Sequence, residues 1–259
     1  MKDYQTITLD IAADIATLRL DRTEKMNALN GQMRAEIADA VTTAGREARV
    51  VVLTGNGRAF CSGQDLGDGG NAATLDLERV LREEYVPMLR AITDCPVPTI
   101  AAVNGPAAGA GANLALSADV VIACESAYFL QAFARIALIP DAGGTWALPR
   151  QMGLAKAMGA ALFAEPISAR QASDWGMIWE AVSDEGFEAH WQARAAHLAT
   201  GPTQTYRAVK EAIRGSWDNS FEAQLDLEAK LQGTCGQSRD FREGVVAFLE
   251  KRAASFEGR

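Results

Sequence analysis

Three loops in this sequence are built almost entirely from small residues, and each could place backbone groups against a ligand. In the longest, residues 103–116, nearly every side chain is a hydrogen or a methyl group, and the apolar run 99–103 before it is typical of a buried strand. Bare backbone can approach a ligand closely there, and the first N–H groups of a helix lack intrahelical partners. The stretch is therefore suited to binding a developing negative charge. Tight packing of a helix on a strand is the alternative explanation.

Three familiar glycine-rich patterns do not fit this loop. A dinucleotide fingerprint needs a third glycine, but Leu114 occupies its place in 109–114. A phosphate-binding P-loop ends in Gly-Lys-Ser or Gly-Lys-Thr, and no lysine occurs between residues 99 and 124. A nucleophile elbow needs G-x-S-x-G, whereas the nearby Ser117 lies between leucine and alanine. What remains is a loop whose chemistry would come from backbone donors.

Two further loops complete the set. Residues 58–66 follow the β-branched run 50–54, and residues 139–145 carry Asp141. A β-branched run without polar interruption predicts a strand buried on both faces, as in a parallel sheet. Ligands bind beyond the carboxyl ends of such strands. If the loops after residues 54 and 103 lie side by side, they can direct two N–H groups at one oxygen, as in an oxyanion hole.

The composition excludes several functional classes. The chain has 259 residues and a formal charge of −8, which disfavours nucleic acid or an anionic membrane as the main partner. It has no apolar run of about 20 residues and no signal-peptide core at its first residues. His190 and His197 are seven residues apart, a spacing that disfavours a shared metal site. Four scattered cysteines predict reduced, mostly buried thiols in a cytoplasmic protein: Cys61, Cys95, Cys124 and Cys235.

Strands and helices alternate along most of the chain, which predicts an α/β fold with a mainly parallel sheet. Helical patterns alone continue from Glu185 onward, and 67–73 is predicted to be a flexible loop. The predicted elements are a hairpin over 6–20, a helix over 33–44 capped by Asn30, a strand at 50–54, a helix over 77–92, strands at 99–103, 119–123 and 127–129, a helix over 152–163, a capping box opened by Ser168 and a strand at 178–182.

Five segments resemble the enoyl-CoA hydratase/isomerase (crotonase) family, and they span nearly the whole chain: 20–29, 58–66, 103–114, 136–145 and 242–252. The resemblance implies a crotonase-like spiral of ββα repeats, with a core domain over 1–200 and a C-terminal helical trimerisation region over 201–259. It also implies an acyl-CoA thioester as substrate and no separate cofactor, because coenzyme A is part of the substrate. A homotrimer or a dimer of trimers is the implied assembly.

By position, the resemblance implies that the thioester oxygen lies between the backbone N–H groups of Gln64 and Ala110. The two glutamates of the family's hydratases fall on Asn113 and Phe133, neither of which can take a proton. Asp141 falls where several isomerases of the family carry a catalytic acid. A helix N-cap is the alternative role for Asp141. Burial would raise the pKa of its carboxyl and a helix N-terminus would lower it, and the sequence leaves the balance open.

The resemblance also supplies candidate binding residues. Arg22, Lys25 and Lys251 are candidates for the phosphates of coenzyme A. Phe248 is expected either to cover the adenine from a neighbouring subunit or to lie in the core, with the core favoured. Asp65 is expected to fix its loop rather than to transfer a proton. The remaining candidates for contact with the substrate are Ala59, Ser62, Gly63, Leu66, Gly109, Asn113 and Phe133.

Segments 60–66, 139–146 and 172–179 resemble a subgroup of the family that converts the ring epoxide of phenylacetyl-CoA to a seven-membered oxepin thioester. The resemblance therefore implies a cytoplasmic isomerase that uses one aspartate and a backbone oxyanion hole. Shifting a double bond in an enoyl-CoA would use the same groups. The alternatives are an enoyl-CoA hydratase and a non-catalytic acyl-CoA-binding protein. RNA binding, known among relatives, is disfavoured by the acidic balance.

Overall fold

The computed structural model describes residues 3–67 and 76–258, which form two sheets surrounded by helices. The strands are β1 (Ile7–Ala12), β2 (Ile15–Leu20), β3 (Val50–Gly55), β4 (Thr99–Val103), β5 (Ala107–Ala108), β6 (Val120–Cys124), β7 (Tyr128–Leu130), β8 (Ile167–Ser168) and β9 (Glu180–Val182). The helices are α1 (Gly31–Glu47), α2 (Leu77–Val80), α3 (Val86–Thr93), α4 (Ala110–Leu116), α5 (Gly144–Phe163), α6 (Ala169–Asp174), α7 (Phe187–Ala199), α8 (Thr203–Gly215), α9 (Phe221–Gly236) and α10 (Arg239–Glu250).

The larger sheet has the strand order β1-β2-β3-β4-β6-β9. The predicted hairpin is confirmed: β1 and β2 are antiparallel, and the turn between them places Ala13 and Asp14 at φ +50° and +62°. The other four strands pair in parallel. β3 and β4 are buried along their whole length, because helices cover both faces of the parallel part. The loops after β3 and β4 therefore leave the same edge of the sheet.

Two parts of the architecture differ from the sequence prediction. The small sheet β5-β7-β8 was missed except for β7, because strands of two residues, such as β5 and β8, carry almost no periodic signal. The helix predicted over 152–163 is present, but a separate helical segment precedes it within α5. Gly153, at φ +77° and ψ 160°, divides α5 into two helices, and the first of them, which begins at Gly144 and contains Pro149, was not predicted. The capping predictions at Asn30 and Ser168 are confirmed.

The helix predicted over 77–92 is present but is not uniform. A π turn, Leu81–Tyr85, joins α2 to α3 immediately before Pro87. Proline cannot donate the next helical hydrogen bond, and a wider turn accommodates this loss. The loop predicted to be flexible at 67–73 lies outside the described residues, except for Gly67.

The chain ends in helices α7 to α10, and α8 is fixed to the larger sheet by charge. Lys210 and Arg214 both pair with Asp119, at 2.6 and 2.7 Å. None of the helices that the structure describes combines the length and apolar character needed to span a bilayer. The predicted division between 1–200 and 201–259 stays a prediction. The last helices and the turn after α8 expose large apolar side chains that include Ile213, Trp217, Phe221, Phe241, Phe248 and Leu249.

Candidate active site

The loops that follow β3 and β4 lie side by side. The amide of Phe60 donates to the Pro106 carbonyl at 3.1 Å, and the amide of Ala108 donates to the Cys61 carbonyl at 2.9 Å. A Cβ on Gly63, which has φ +94°, would lie only 2.7 Å from the Ala108 carbonyl oxygen. The absence of a side chain there allows the two backbones to approach.

The amides of Gln64 and Ala110 lie at this junction. On either side of Gln64, the backbone bonds to Leu29: the Leu29 amide donates to the Gly63 carbonyl at 2.7 Å, and the Asp65 amide donates to the Leu29 carbonyl at 3.1 Å. Neither the Gln64 amide nor the Ala110 amide donates a hydrogen bond to another residue in the ranges described. A Cβ on Gly63 would lie 3.4 Å from the Ala110 nitrogen, so the two unpaired amides belong to adjacent backbone. Unpaired donors at a cavity wall can bind one oxygen of a ligand.

Both residues line a cavity of about 280 Å³ whose walls are mostly apolar. Asp141 supplies the one carboxyl group among the described residues of its lining. Tyr85 and Arg135 add a phenol and a guanidinium. The other lining residues are Ser62, Gly63, Leu66, Leu77, Val80, Leu81, Gly109, Ala132, Phe133, Ile136 and Leu138.

Asp141 does not cap the following helix. The N-cap of α5 is Gly143, and no side chain accepts a hydrogen bond there, so the N-cap role considered for Asp141 is wrong. The buried Oδ1 atom of Asp141 has no hydrogen-bond partner within the described part of the chain. Burial raises the pKa of the carboxyl from 3.8 to about 6, against an opposing hydrogen bond from its own backbone. Burial therefore sets the direction of the pKa shift of this carboxyl, which the sequence left open.

Asn113 supports Asp141 through the backbone. Its Nδ2 donates to the Asp141 carbonyl at 2.7 Å, and its Oδ1 accepts from Gln131 Nε2 at 2.9 Å. Both amide side chains are fully buried or nearly so. Asn113 thus holds the backbone of Asp141 in place. Its amide does not exchange a proton as an acid or a base at neutral pH. Phe133 is a buried part of the cavity wall.

Asp65 and Arg22 form an ion pair with an Nη2–Oδ2 distance of 2.8 Å, and Asp65 Oδ1 accepts from the Gly67 amide at 3.0 Å. Partial burial opposes ionisation of Asp65, but the hydrogen bond from Arg22 holds the pKa of its carboxyl below its usual range. The carboxylate thus fixes its loop, as expected. The guanidinium of Arg22 also donates to the Ala28 carbonyl, and its contact with the phosphates of coenzyme A stays a prediction.

The remaining candidates divide into those at the cavity and those away from it. Ser62 lines the cavity and its hydroxyl donates to the carbonyl of Lys25, which lies on a 3₁₀ turn beside the loop. Ala59 is buried, its carbonyl accepts from Asn27, and it is not among the described residues that line the cavity. Leu66 and Gly109 do line it.

Phe248 and Lys251 lie away from the cavity in the single chain. Phe248 is on α10 and is 82% exposed, so the favoured expectation that it lies in the core is wrong. It lines a different groove, beside Pro202 and Phe256. Lys251 is the exposed C-cap of the same helix. A contact of either residue with a substrate in a neighbouring subunit stays a prediction.

Sequence reasoning missed two residues beside the Gln64 loop. Tyr85 falls within the helix predicted over 77–92, and in the structure it lines the cavity and its hydroxyl donates to Gln64 Oε1 at 2.6 Å. Arg34, on α1, donates to the same oxygen at 2.9 Å. Their separation from Gln64 by 21 and 30 residues leaves no local signal, although a charged residue among the apolar positions of α1 marks Arg34 as unusual.

Comparison with known proteins agrees with this fold. Residues 10–259 match the family model described as enoyl-CoA hydratase/isomerase. The chain is 63% identical over 256 residues to the "probable enoyl-CoA hydratase" of Rhodobacter capsulatus, with 99% of both chains covered. It is 47% identical over 250 residues to 1,2-epoxyphenylacetyl-CoA isomerase of Escherichia coli, with 95% of both covered. The crystal structure of enoyl-CoA hydratase from Bacillus anthracis superposes with a TM-score of 0.91 at 31% identity, covering 98% of this chain and 100% of that one. The chain belongs to the enoyl-CoA hydratase/isomerase family.

Proposed function

We propose that the protein is an acyl-CoA isomerase that moves a proton within the acyl group of a bound thioester. The observation that carries this proposal is the partly buried carboxyl of Asp141, whose pKa is raised to about 6, in a cavity that two unpaired amides also line. The preferred substrate is the ring epoxide of phenylacetyl-CoA, by similarity to the Escherichia coli isomerase. Double-bond migration in an enoyl-CoA is a second reaction of the same type.

In this mechanism the thioester oxygen accepts hydrogen bonds from the Gln64 and Ala110 amides. Removal of a proton from the α carbon pushes its electron pair toward that oxygen, and the two donors stabilise the charge that develops. The donors are backbone groups held in place before the substrate arrives, so no reorganisation is needed as the charge forms. Loss of one such donor typically lowers turnover by about 10²–10³-fold.

Asp141 acts as the base and then as the acid. Its carboxylate takes the proton from the α carbon, the carbon–carbon bond of the epoxide breaks to give the seven-membered ring with both carbon–oxygen bonds kept, and the resulting acid returns the proton to a ring carbon. The product is an isomer of the substrate, so no water or co-reactant is consumed. A carboxyl whose pKa lies near 6 is ionised at neutral pH and is still a much stronger base than an exposed aspartate.

Hydration is the competing reaction, and the name of the Rhodobacter capsulatus relative favours it. A hydratase of the two-glutamate type needs two carboxylates around the attacking water. By the resemblance, Asn113 and Phe133 occupy those positions in this chain, and the Asn113 side chain bonds to Gln131 and to the Asp141 carbonyl. The carboxyl content of the described cavity lining therefore supports isomerisation over hydration.

The test is a panel of three thioesters: the ring epoxide of phenylacetyl-CoA, a Δ3-enoyl-CoA and crotonyl-CoA. We expect isomerisation of the first two and crotonyl-CoA hydration slower by about 10³-fold or more in kcat/KM. Robust hydration of crotonyl-CoA would overturn the carboxylate argument. Binding of all three without turnover would instead identify a non-catalytic acyl-CoA-binding protein.

We also propose that the chain assembles as a homotrimer or a dimer of trimers through its C-terminal helices. Large apolar side chains stay exposed on these helices in the single chain, and patches of this kind mark interaction surfaces. Phe248 and Lys251 would then lie near a neighbouring subunit. Light scattering after size-exclusion chromatography tests the assembly, and a monomer at micromolar concentration would contradict it.

A further inference from the structure

The side chain of Gln64 is held at one atom by two buried donors. Its Oε1 accepts from Tyr85 Oη at 2.6 Å and from Arg34 Nη1 at 2.9 Å. Arg34 and Tyr85 are only 2% and 3% exposed. Arginine has donors but no acceptor, so the Gln64 atom that faces it must be the oxygen. We name the pair Arg34 and Tyr85, together with this oxygen, the Gln64 clamp.

The clamp is itself rigidly supported. The Arg34 guanidinium donates to the Leu29 carbonyl at 2.8 Å and to Glu84 Oε2 at 2.5 Å, and it stacks over the Tyr85 ring at 4.8 Å from the centroid. Glu84 balances the buried charge, which a lone guanidinium in this position would make costly. Tyr85 and Glu84 both belong to the π turn Leu81–Tyr85, so one irregular turn supplies both partners of the guanidinium.

The clamp and the backbone converge on the same peptide. Leu29 accepts from the Asp65 amide and donates to the Gly63 carbonyl, and its carbonyl also accepts from Arg34. The main chain on each side of the Gln64 amide is thereby fixed to Leu29. The clamp holds the side chain of the same residue whose backbone these bonds to Leu29 orient.

Building on the proposed function, we propose that Arg34 and Tyr85 are positioning residues that hold the Gln64 amide in the orientation in which it donates to the thioester oxygen. They act through Gln64 and not by contact with the reacting atoms. A misplacement of about 1 Å in a positioned group can cost about 10²-fold in rate. Releasing the clamp should therefore lower kcat and leave KM nearly unchanged, since the alignment matters most when charge is on the oxygen.

The substitutions Gln64→Met and Tyr85→Phe, separately and together, provide the test. Gln64→Met keeps the backbone N–H and approximate side-chain volume but removes the accepting oxygen. Tyr85→Phe keeps the ring under Arg34 and removes one donor. We expect kcat to fall about 10- to 100-fold for Gln64→Met and about 3- to 10-fold for Tyr85→Phe. The double variant should be no slower than Gln64→Met alone, because Tyr85 acts through the atom already removed.

Tyr4→Phe is the matched control. It removes a partly buried hydroxyl that donates to Asp39 of α1 at 2.7 Å. Neither residue lines the cavity. A tyrosine hydroxyl is lost in both variants, but only Tyr85 belongs to the clamp. Tyr4→Phe should keep wild-type kcat and KM.

A second readout needs no turnover. The carbonyl stretch of a bound thioester reports how strongly the oxyanion hole polarises it, and phenylacetyl-CoA and hexanoyl-CoA serve as unreactive probes. In the wild-type protein, the carbonyl stretching frequency of the bound probe should differ from its value in buffer. We expect this difference to be smaller in Gln64→Met, and smaller by the same amount in the double variant. Unchanged stretches, or additive losses in the double variant, would overturn the clamp. If the wild-type protein binds and polarises the probes but isomerises no substrate, the proposed function fails while the clamp stands. Wild-type binding of neither probe would overturn both.

Discussion

Replacing Asp141 by asparagine should separate the chemical role of this carboxyl from its effect on stability. The side chain keeps its size, and it loses only the ability to carry charge and to take up a proton. General base catalysis contributes about 10²–10⁴-fold to rate. No second carboxyl lines the described part of the cavity, so none is available to replace it. We expect Asp141→Asn to lower kcat for the ring epoxide by about 10³-fold or more and to leave thioester binding within a few-fold of wild type.

The same substitution should increase stability at neutral and alkaline pH. The folded state raises the pKa of Asp141 from 3.8 to about 6, so between these values it binds more protons than the unfolded state. Stability contributed by this group therefore falls as pH rises through that window, and the penalty is complete above about pH 6. A pKa raised from 3.8 to about 6 corresponds to a destabilisation of the folded state by about 3 kcal/mol. Solvent reaches part of the carboxyl, so the expected gain in the free energy of unfolding is about 1–2 kcal/mol.

Urea unfolding at pH 8 and at pH 4 measures this difference, and a fixed-time assay of oxepin formation measures activity. Asp65→Asn is the matched control, because Asp65 is paired with Arg22 and its pKa is lowered. That group stabilises the fold above its ordinary pKa, so its removal should destabilise the protein at pH 8. An Asp141→Asn protein that retains turnover within tenfold of wild type would refute the catalytic assignment. Failure to gain stability at pH 8 would refute the argument from burial.

Three further predictions concern the same cavity. The logarithm of kcat/KM should rise with unit slope up to a pKa of about 6 and then level off, since the carboxylate is the active form; a pH–rate profile without a break near 6 would contradict this. Gly63→Ala places a Cβ 2.7 Å from the Ala108 carbonyl oxygen, at a residue with φ +94°. The substitution should separate the two loops and lower turnover by about 10²-fold. Gly233→Ala is the control and should not change turnover, because its new Cβ meets nothing within 4 Å. Asn113→Ala should lower the free energy of unfolding in urea by about 1–3 kcal/mol and should lower kcat, because the Asp141 carbonyl and Gln131 each lose a buried partner. Wild-type stability and kcat in this variant would show that the contact is dispensable.

Local patterns predicted the parts of the fold that depend on local physics. The β-branched run at 50–54 and the alternation at 6–20 specified buried and hairpin strands, and the oxygen of Asn30 accepts the Met33 amide at 2.8 Å as an N-cap should. Small residues in the loops after β3 and β4 predicted close backbone approach, and the glycine geometry at Gly63 explains why no larger residue fits there.

The parts that were not predicted depend on contacts between distant segments. The Gln64 clamp joins residues from α1 and from a π turn, and no pattern in the sequence links them. Asp141 was placed at a helix start from its neighbours, but its pKa depends on how deeply the folded chain buries it. Phe248 was favoured as core because it is apolar, yet an amphipathic helix does not reveal which surface will cover it.

A crystal structure with bound phenylacetyl-CoA tests the central claim most directly. We expect a thioester oxygen about 2.7–3.1 Å from the backbone nitrogens of both Gln64 and Ala110. We also expect an Asp141 carboxyl oxygen within about 3.5 Å of the α carbon. A thioester oxygen bonded to neither amide, or an Asp141 carboxyl turned into bulk solvent, would contradict the claim.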